Sequence, residues 1–206
     1  MLRVAILDDH PAVLAGVRRF IEPQPDLTVI AAAPTAVELS HQLGGARADV
    51  LVLDYDLTRS DGLLHCQRVK RRSQPPAVVI YSAYGGDALV LAARAAGADG
   101  VVDKAEPVQR LLAAIRSAAA CELTMPAVSR DAYRAAVANL DDEDLPVLAM
   151  LLDGAPLDAI AQALRSDRAE VSWQAQRIVG RLRPGLRTRP DDHRVGPGQG
   201  SRSGLS

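Results

Sequence analysis

The stretch Asp49-Val50-Leu51-Val52-Leu53-Asp54 decides the fold, because four consecutive apolar residues end in a carboxylate. A short apolar run of this kind is typical of a strand that is buried on both faces in a parallel sheet. Three further runs have the same design and end in polar groups: residues 2–9, 78–82 and 101–104. Because ligands bind at the carboxyl ends of the strands in open parallel sheets, we expect these polar groups to converge.

Strand and helix patterns alternate along the first 120 residues. Strands are predicted at residues 2–8, 27–32, 49–53, 77–82 and 99–102. Each is followed by apolar residues at helical spacing, at 11–21, 36–43, 63–72, 87–96 and 107–120. Five βα units in series predict an α/β fold, a flavodoxin-like doubly wound five-stranded parallel sheet with helices on both faces.

The strand pattern stops near residue 121, which divides the chain after a first domain at residues 1–120. Residues 121–139 are predicted to be a linker with a helical part. Residues 140–184 carry three short helical patterns and predict a small all-α domain. Residues 185–206 are rich in Gly, Pro, Arg and Ser, cannot bury a core, and are predicted to be a disordered tail.

Composition excludes several classes of protein. The 206 residues carry a net charge of −1, so no global basic field indicates nucleic acid or a membrane surface. The two cysteines have no metal-ligand spacing and favour a reducing compartment. The first residues predict a strand rather than a signal peptide, and no apolar run is long enough to span a bilayer. We therefore expect a cytoplasmic protein that does not bind membranes.

The strand ends predict a site for a divalent cation and a phosphoryl group. Asp8, Asp9 and Asp54 should crowd one another, which costs free energy unless a cation neutralises them. Mg²⁺ suits such oxygen ligands. Asp54 would then attack phosphorus, while Lys104 and the Ser82 hydroxyl hold the phosphate oxygens. Aspartates that follow strands are also common helix caps, but four strand ends that agree in type favour the site.

These residues resemble the motifs of a two-component response regulator, with a receiver domain and a LuxR-type helix-turn-helix output domain, as in the NarL/FixJ group. The motifs are Asp8-Asp9-His10, Asp54, Asp61-Gly62, Ser82-Ala83, Gly97-Ala98-Asp99-Gly100 and Lys104. The resemblance implies that Asp54 accepts phosphate from a sensor histidine kinase. It also implies that Asp8 or Asp9, Asp54 and the backbone carbonyl of Asp56 bind Mg²⁺. It implies no enzyme beyond a receiver that catalyses its own phosphotransfer and dephosphorylation.

The sequence departs from the family pattern in the receiver. Leu57-Thr58 stands where the family has Met-Pro, and Val101 stands where it has an aromatic switch residue. Tyr84 and Tyr81 are alternative aromatic residues for that role, although Tyr81 fits ordinary strand packing better. Asp56 lies two residues after Asp54, where its side chain could influence water attack on the acyl phosphate or be a solvated loop carboxylate.

The C-terminal helical pattern resembles the LuxR-type motif and implies double-stranded DNA as a partner, bound by a homodimer that forms when the protein is phosphorylated. Ser172, Gln174 and Gln176 are candidates to read base edges. A local basic face is predicted from Arg165, Arg168, Arg177 and Arg181, with a solvated helix face as the alternative role for each of them. We expect Trp173 to pack in a core or an interface.

The family's Thr-Val-Lys is replaced by Glu170-Val171-Ser172, and residues 140–183 hold eight acidic against five basic side chains. This balance opposes docking on phosphates. It leaves open an alternative, in which a degenerate output domain acts through protein contacts rather than DNA. An enzyme with an aspartyl-phosphate mechanism, such as a phosphatase, is a weaker third reading, because no substrate pocket is evident.

Overall fold

The computed structural model describes residues 1–58 and 60–183. Its main sheet contains five parallel strands: β1 (Leu2–Leu7), β2 (Leu27–Ala33), β3 (Val50–Leu53), β6 (Ala77–Ser82) and β7 (Gly100–Asp103). Their order across the sheet is β2-β1-β3-β6-β7. The order reverses between β1 and β3, so the carboxyl ends of these two strands form the switch point at which such sheets bind ligands.

Five helices cover the two faces of this sheet: α1 (Pro11–Ile21), α2 (Ala36–Leu43), α3 (Gly62–Lys70), α4 (Asp87–Ala95) and α5 (Val108–Ala119). Local sequence fixes their ends. Thr35 caps α2 by accepting a hydrogen bond from the backbone N–H of Glu38, and Gly44 ends the helix in the left-handed conformation. The predicted doubly wound α/β fold is confirmed. A short antiparallel pair, β4 (Asp56–Leu57) and β5 (Ser60–Asp61), was not predicted.

The C-terminal part is helical, as predicted. It contains α6 (Arg130–Val137), a 3-10 turn (Asp142–Asp144), α7 (Leu145–Leu152), α8 (Leu157–Leu164) and α9 (Arg168–Leu182). Leu148, Ile160, Val171 and Ile178 are fully buried at its centre. The predicted disordered tail lies outside the described residues. No helix in the described ranges is both long and apolar enough to cross a bilayer.

Two large apolar residues of the C-terminal helices are exposed. Leu164 is 37% exposed, because the helix ends there and turns at Arg165, which has a positive φ of 53°. Trp173 is 60% exposed and stacks with the Arg177 guanidinium, 4.9 Å from the ring centroid. Of the two places expected for Trp173, a core or an interface, the structure therefore excludes this core, and packing in an interface stays a prediction.

The core continues from the sheet into the C-terminal helices. One cluster of buried side chains runs from Leu53 and Leu63 through Val90 to Val147 and Ile178. Helices α3 and α4 contact α9 on this side of the sheet. The other face of the sheet has its own cluster, centred on Ile6, Leu111 and Ile115. The C-terminal helices thus pack only on the α3–α4 side.

Candidate functional site

Asp54 lies at the switch point, directly after β3. Its backbone N–H donates to the carbonyl of Leu7 at 2.9 Å, which ties it to the end of β1. Its side chain is only 2% exposed. The loop that follows returns so closely that a Cβ on Gly62 would lie 2.2 Å from the carbonyl oxygen of Asp54. Glycine is therefore required at position 62 for the loop to close over the site.

Asp8 and Asp9 follow β1 and reach the same point as Asp54. Together with His10 they offer ligand atoms that all lie within 4.8 Å of one another. The Nδ1 atom of His10 is 2.9 Å from Asp9 and 3.8 Å from Asp54. Sequence reasoning gave His10 no ligand role, although its place next to the aspartate pair was a usable signal. Carboxylate oxygens crowded in this way are the donors that Mg²⁺ prefers, so the residues present fit that ion.

Lys104 provides the cation nearest to these carboxylates. Its Nζ atom lies 2.6 Å from Asp8 and 3.1 Å from Asp54. Its backbone N–H donates to the carbonyl of Ser82 at 2.7 Å, which fixes the end of β7 against the end of β6. The ammonium also lies 5.7 Å from the centroid of the Tyr81 ring. The structure therefore brings Asp8, Asp9, Asp54 and Lys104 together.

Ser82 ends β6 and is fully buried. Its hydroxyl oxygen accepts a hydrogen bond of 2.9 Å from the backbone N–H of Tyr84. The Tyr84 ring in turn makes an edge-to-face contact with Tyr55, with 6.2 Å between ring centroids. The Ser82 hydroxyl is thus connected through Tyr84 to Tyr55, the residue after Asp54. Val101 is buried in the shared core and is 8% exposed.

The loop after Asp54 is anchored by a residue that sequence reasoning treated only as a departure from the family. The backbone N–H of Thr58 donates to the Asp9 carboxylate at 2.8 Å, and its hydroxyl donates to the same oxygen. Asp56 lies closer to Asp54, and its backbone N–H donates to the Asp54 carboxylate at 3.4 Å. The loop that carries the Asp56 carbonyl is thus held by the Asp54 carboxylate at one point and by the Asp9 carboxylate at another.

The electrostatics of the pocket differ between its carboxylates. Burial raises the pKa of Asp54; the nearby Lys104 opposes this rise and the charge of Asp8 adds to it. Burial also acts upward on the pKa of Asp9, but hydrogen bonds from Thr58 outweigh it and the pKa of Asp9 is lowered. Asp54 therefore gains more than Asp9 from an additional cation, because the protein alone favours the charged form of Asp54 less.

The predicted DNA-contacting residues on α9 are engaged within the molecule. Arg177 pairs with Glu143 at 2.8 Å and with Asp144, and Arg181 pairs with Asp141 at 2.8 Å. The amide of Gln174 donates to the carbonyl of Glu143 at 2.8 Å. The acidic 3-10 turn and the residue before it thus cover one polar side of α9.

The other three predicted DNA contacts lie elsewhere. Arg168 pairs with Asp158 at 2.6 Å. The backbone carbonyl of Ser172 accepts from Arg71 at 3.2 Å. With its amide oxygen turned towards α3, Gln176 accepts from the same guanidinium at 2.8 Å. The six predicted DNA-contacting residues therefore fall into two groups. Gln174, Arg177 and Arg181 lie near the acidic turn, and Arg168, Ser172 and Gln176 lie on the side of α9 nearer the receiver domain.

The part of the chain that carries this pocket matches a known protein family. Residues 4–116 match the family model described as the response regulator receiver domain. The chain belongs to this family. The matched range holds Asp8, Asp9, Asp54, Ser82 and Lys104, and it covers more than half of the chain.

Relatives extend the likeness beyond the receiver. The nitrate/nitrite response regulator NarL of Escherichia coli K12 is 26% identical over 194 residues, which cover 87% of this chain and 88% of NarL. The DNA-binding transcriptional activator DevR/DosR of Mycobacterium tuberculosis H37Rv is 26% identical, with 88% of each chain covered. The crystal structure of a LuxR-family response regulator from Aurantimonas sp. SI85-9A1 is 30% identical, with a TM-score of 0.56, and covers 65% of this chain and 94% of its own. The chain is a two-component response regulator of the LuxR type, a class that controls transcription.

Proposed function

We propose that this response regulator accepts a phosphoryl group on Asp54 from a sensor histidine kinase. The observation that carries the proposal is the buried Asp54 carboxylate, which lies within 3.1 Å of the Lys104 ammonium and beside Asp8. A carboxylate oxygen of Asp54 attacks phosphorus, the bond from phosphorus to the donor's histidine nitrogen breaks, and that nitrogen keeps the electron pair. Lys104 and the Ser82 hydroxyl receive the phosphate oxygens. The same pocket would catalyse hydrolysis of the acyl phosphate.

A magnesium ion fits the same pocket, with Asp8, Asp9, Asp54 and the backbone carbonyl of Asp56 as its candidate ligands. When bound, Mg²⁺ supplies positive charge that offsets the three carboxylates and the incoming phosphate. The protein's own contribution is positional. Thr58 holds Asp9, and Lys104 holds Asp8, so both carboxylates stay beside Asp54.

The output of the regulator is proposed to be double-stranded DNA, read by helix α9. The likeness to DevR/DosR over most of both chains supports this proposal. In the structure α9 packs against α3 and α4, so its sheet-facing side cannot enter a DNA groove in this arrangement. Phosphorylation therefore has to favour an arrangement in which α9 leaves the receiver, and a homodimer places two such helices on neighbouring half-sites.

Protein contacts are the second candidate output, and the ion pairs of α9 favour them. Arg177 and Arg181 are already neutralised by Glu143, Asp144 and Asp141, which reduces their attraction for phosphate. In this reading the exposed Trp173 and its neighbours contact another protein. Such a regulator would have no saturable, sequence-dependent affinity for DNA.

One measurement tests the pocket and the output together. DNA selected from random duplexes is titrated with the full chain, with and without beryllofluoride and Mg²⁺, at low and moderate salt. We expect saturable, sequence-dependent binding that beryllofluoride strengthens. Binding of equal strength with and without beryllofluoride would separate the output from Asp54, and an absence of sequence-dependent binding at either salt concentration would favour the protein-contact output.

A further inference from the structure

A cavity of about 690 Å³ lies at the seam between the receiver and the C-terminal helices. The receiver contributes the last turns of α3 and α4 and the segments that follow them, including Lys70, Arg71 and Arg94. The C-terminal part contributes the α7–α8 connection and the starts of α8 and α9, including Asp158 and Arg168. The volume is in the range of small-molecule sites, which are often found between domains.

The lining of this cavity is more cationic than anionic. Five of its side chains are basic and three are acidic, in a protein whose net charge is −1. Two of the acidic groups are already paired, since Asp99 lies 2.8 Å from Lys70 and Asp158 lies 2.6 Å from Arg168. Arg94 instead donates to the backbone carbonyl of Leu152 at 2.6 Å. The positive charge on the receiver side of the cavity is therefore only partly neutralised.

Arg71 is the centre of this positive charge. It is half-buried, and burial lowers its pKa, with the charges of Arg168 and Arg68 acting in the same direction. Its Nη atoms donate to the Ser172 carbonyl and to the amide oxygen of Gln176, two neutral acceptors that leave its charge uncompensated, and its buried Nε has no hydrogen-bond partner among residues 1–58 and 60–183. A guanidinium ion that is removed from water and lies close to two others is unfavourable in the protein alone. A bound anion would stabilise it.

The remaining walls are apolar or small. Ala95 and Ala96 end α4, and Leu151, Ala155 and Leu157 lie across from them. This combination suits a ligand with a charged group for the guanidinium ions and a less polar body for the alanine and leucine walls. We propose that the cleft binds a small phosphorylated metabolite of mononucleotide size, with its phosphate at Arg71.

Such a ligand would regulate the proposed switch, because its site exists only while both parts of the chain are together. A ligand that binds the closed arrangement alone, present at tenfold its Kd, raises the ratio of closed to open molecules about elevenfold. It acts at the seam, whereas phosphorylation acts at Asp54, beside the opposite end of α3. The two signals would therefore oppose each other.

Adenosine monophosphate (AMP) serves as the probe, titrated calorimetrically into the full chain in a buffer with EDTA to keep metal ions out of the acidic pocket. We expect saturable binding in the submillimolar range, and at least tenfold weaker binding of inorganic phosphate and of adenosine. Arg71→Gln should weaken AMP binding at least tenfold. Arg110→Gln is the matched control, because Arg110 lies on α5 with its side chain 69% exposed, away from the seam.

Three results would overturn the site. They are the absence of saturable AMP binding up to millimolar concentration, equal affinity for adenosine and AMP, and unchanged binding by the Arg71→Gln protein. Hydrogen exchange tests the regulatory part without DNA: AMP at tenfold its Kd should slow exchange across α9 by up to about elevenfold. Unchanged exchange in the presence of bound AMP would show that the ligand does not stabilise the closed arrangement.

Discussion

Gln67 of helix α3 donates a hydrogen bond of 3.1 Å to the backbone carbonyl of Ala175, in the middle of the predicted recognition helix α9. Both residues are buried, at 6% and 1% exposed. Helix α3 begins at Gly62, directly after the loop that carries Asp56 and Thr58. The element that follows the loop after Asp54 is therefore one of the two helices of the sheet domain that hold α9.

We expect Gln67→Glu to open this contact. A carboxylate cannot donate to the Ala175 carbonyl and would be buried beside it, which costs about 1–3 kcal/mol. DNA affinity of the unphosphorylated protein should rise, as measured by fluorescence anisotropy on a selected duplex. Gln74→Glu provides the control, because it makes the same change in charge at an exposed position. Equal DNA affinity of the two variants would contradict a role for this contact in closing the molecule.

Asp54→Asn should abolish phosphorylation, because an amide oxygen is too weak a nucleophile towards phosphorus. Incorporation of radiolabel from acetyl phosphate or from a phosphorylated histidine kinase measures this. Asp131→Asn, at an exposed carboxylate on α6, should be labelled like the parent protein. Labelling of the Asp54→Asn protein at the parent rate would place the phosphoacceptor elsewhere.

Lys104→Met should separate cation binding from phosphoryl transfer. The ammonium lies within 3.1 Å of both Asp8 and Asp54, so its removal leaves more negative charge for Mg²⁺, and we expect affinity for the ion to rise by about tenfold. Phosphorylation should nevertheless become slower, since a contact to the phosphate oxygens is lost. Calorimetry and labelling measure the two effects, with Arg110→Met as the control. A parallel fall in Mg²⁺ affinity would mean that Lys104 organises the carboxylates instead of competing for them.

Asp144 gives a prediction for stability against pH. Burial acts upward on its pKa, but hydrogen bonds from Arg177 and Gln174 outweigh it and the pKa is lowered. The stabilisation is therefore present above the pKa of an unfolded aspartate, about 3.9, and is lost as pH falls through the lower folded value. Asp144→Asn should reduce the free energy of unfolding by about 2 kcal/mol at pH 7, with a smaller difference from the parent in acid.

Chemical denaturation at several pH values measures this difference, and Asp142→Asn in the same acidic turn, at an exposed position, should change stability little. A difference that is constant from pH 7 down to pH 3 would mean that the Asp144 charge is not the source of the stabilisation.

The sequence predicted the receiver domain closely, because the patterns that indicate its strands and helices are local. Apolar runs such as residues 50–53 and 78–81 specify buried strands, and the polar residue that follows each run is carried to a common edge by parallel pairing. The contribution of Thr58 was missed, because Thr58 and Asp9 are far apart in sequence and meet only through the loop after β3.

By itself, the sequence determined the α/β and helical parts and which side chains gather around Asp54, because hydrophobic periodicity and the residue types at strand ends can be read along the chain. Only the tertiary structure decided that Gln67 and Arg71 hold α9 and that Glu143 and Asp144 neutralise Arg177. Those contacts depend on how two separately patterned parts pack, and packing brings together residues up to 122 positions apart, as in the ion pair between Asp61 and Arg183. The sequence alone predicts that the arginines of α9 are exposed. In the folded protein Arg168, Arg177 and Arg181 are already paired with acidic side chains.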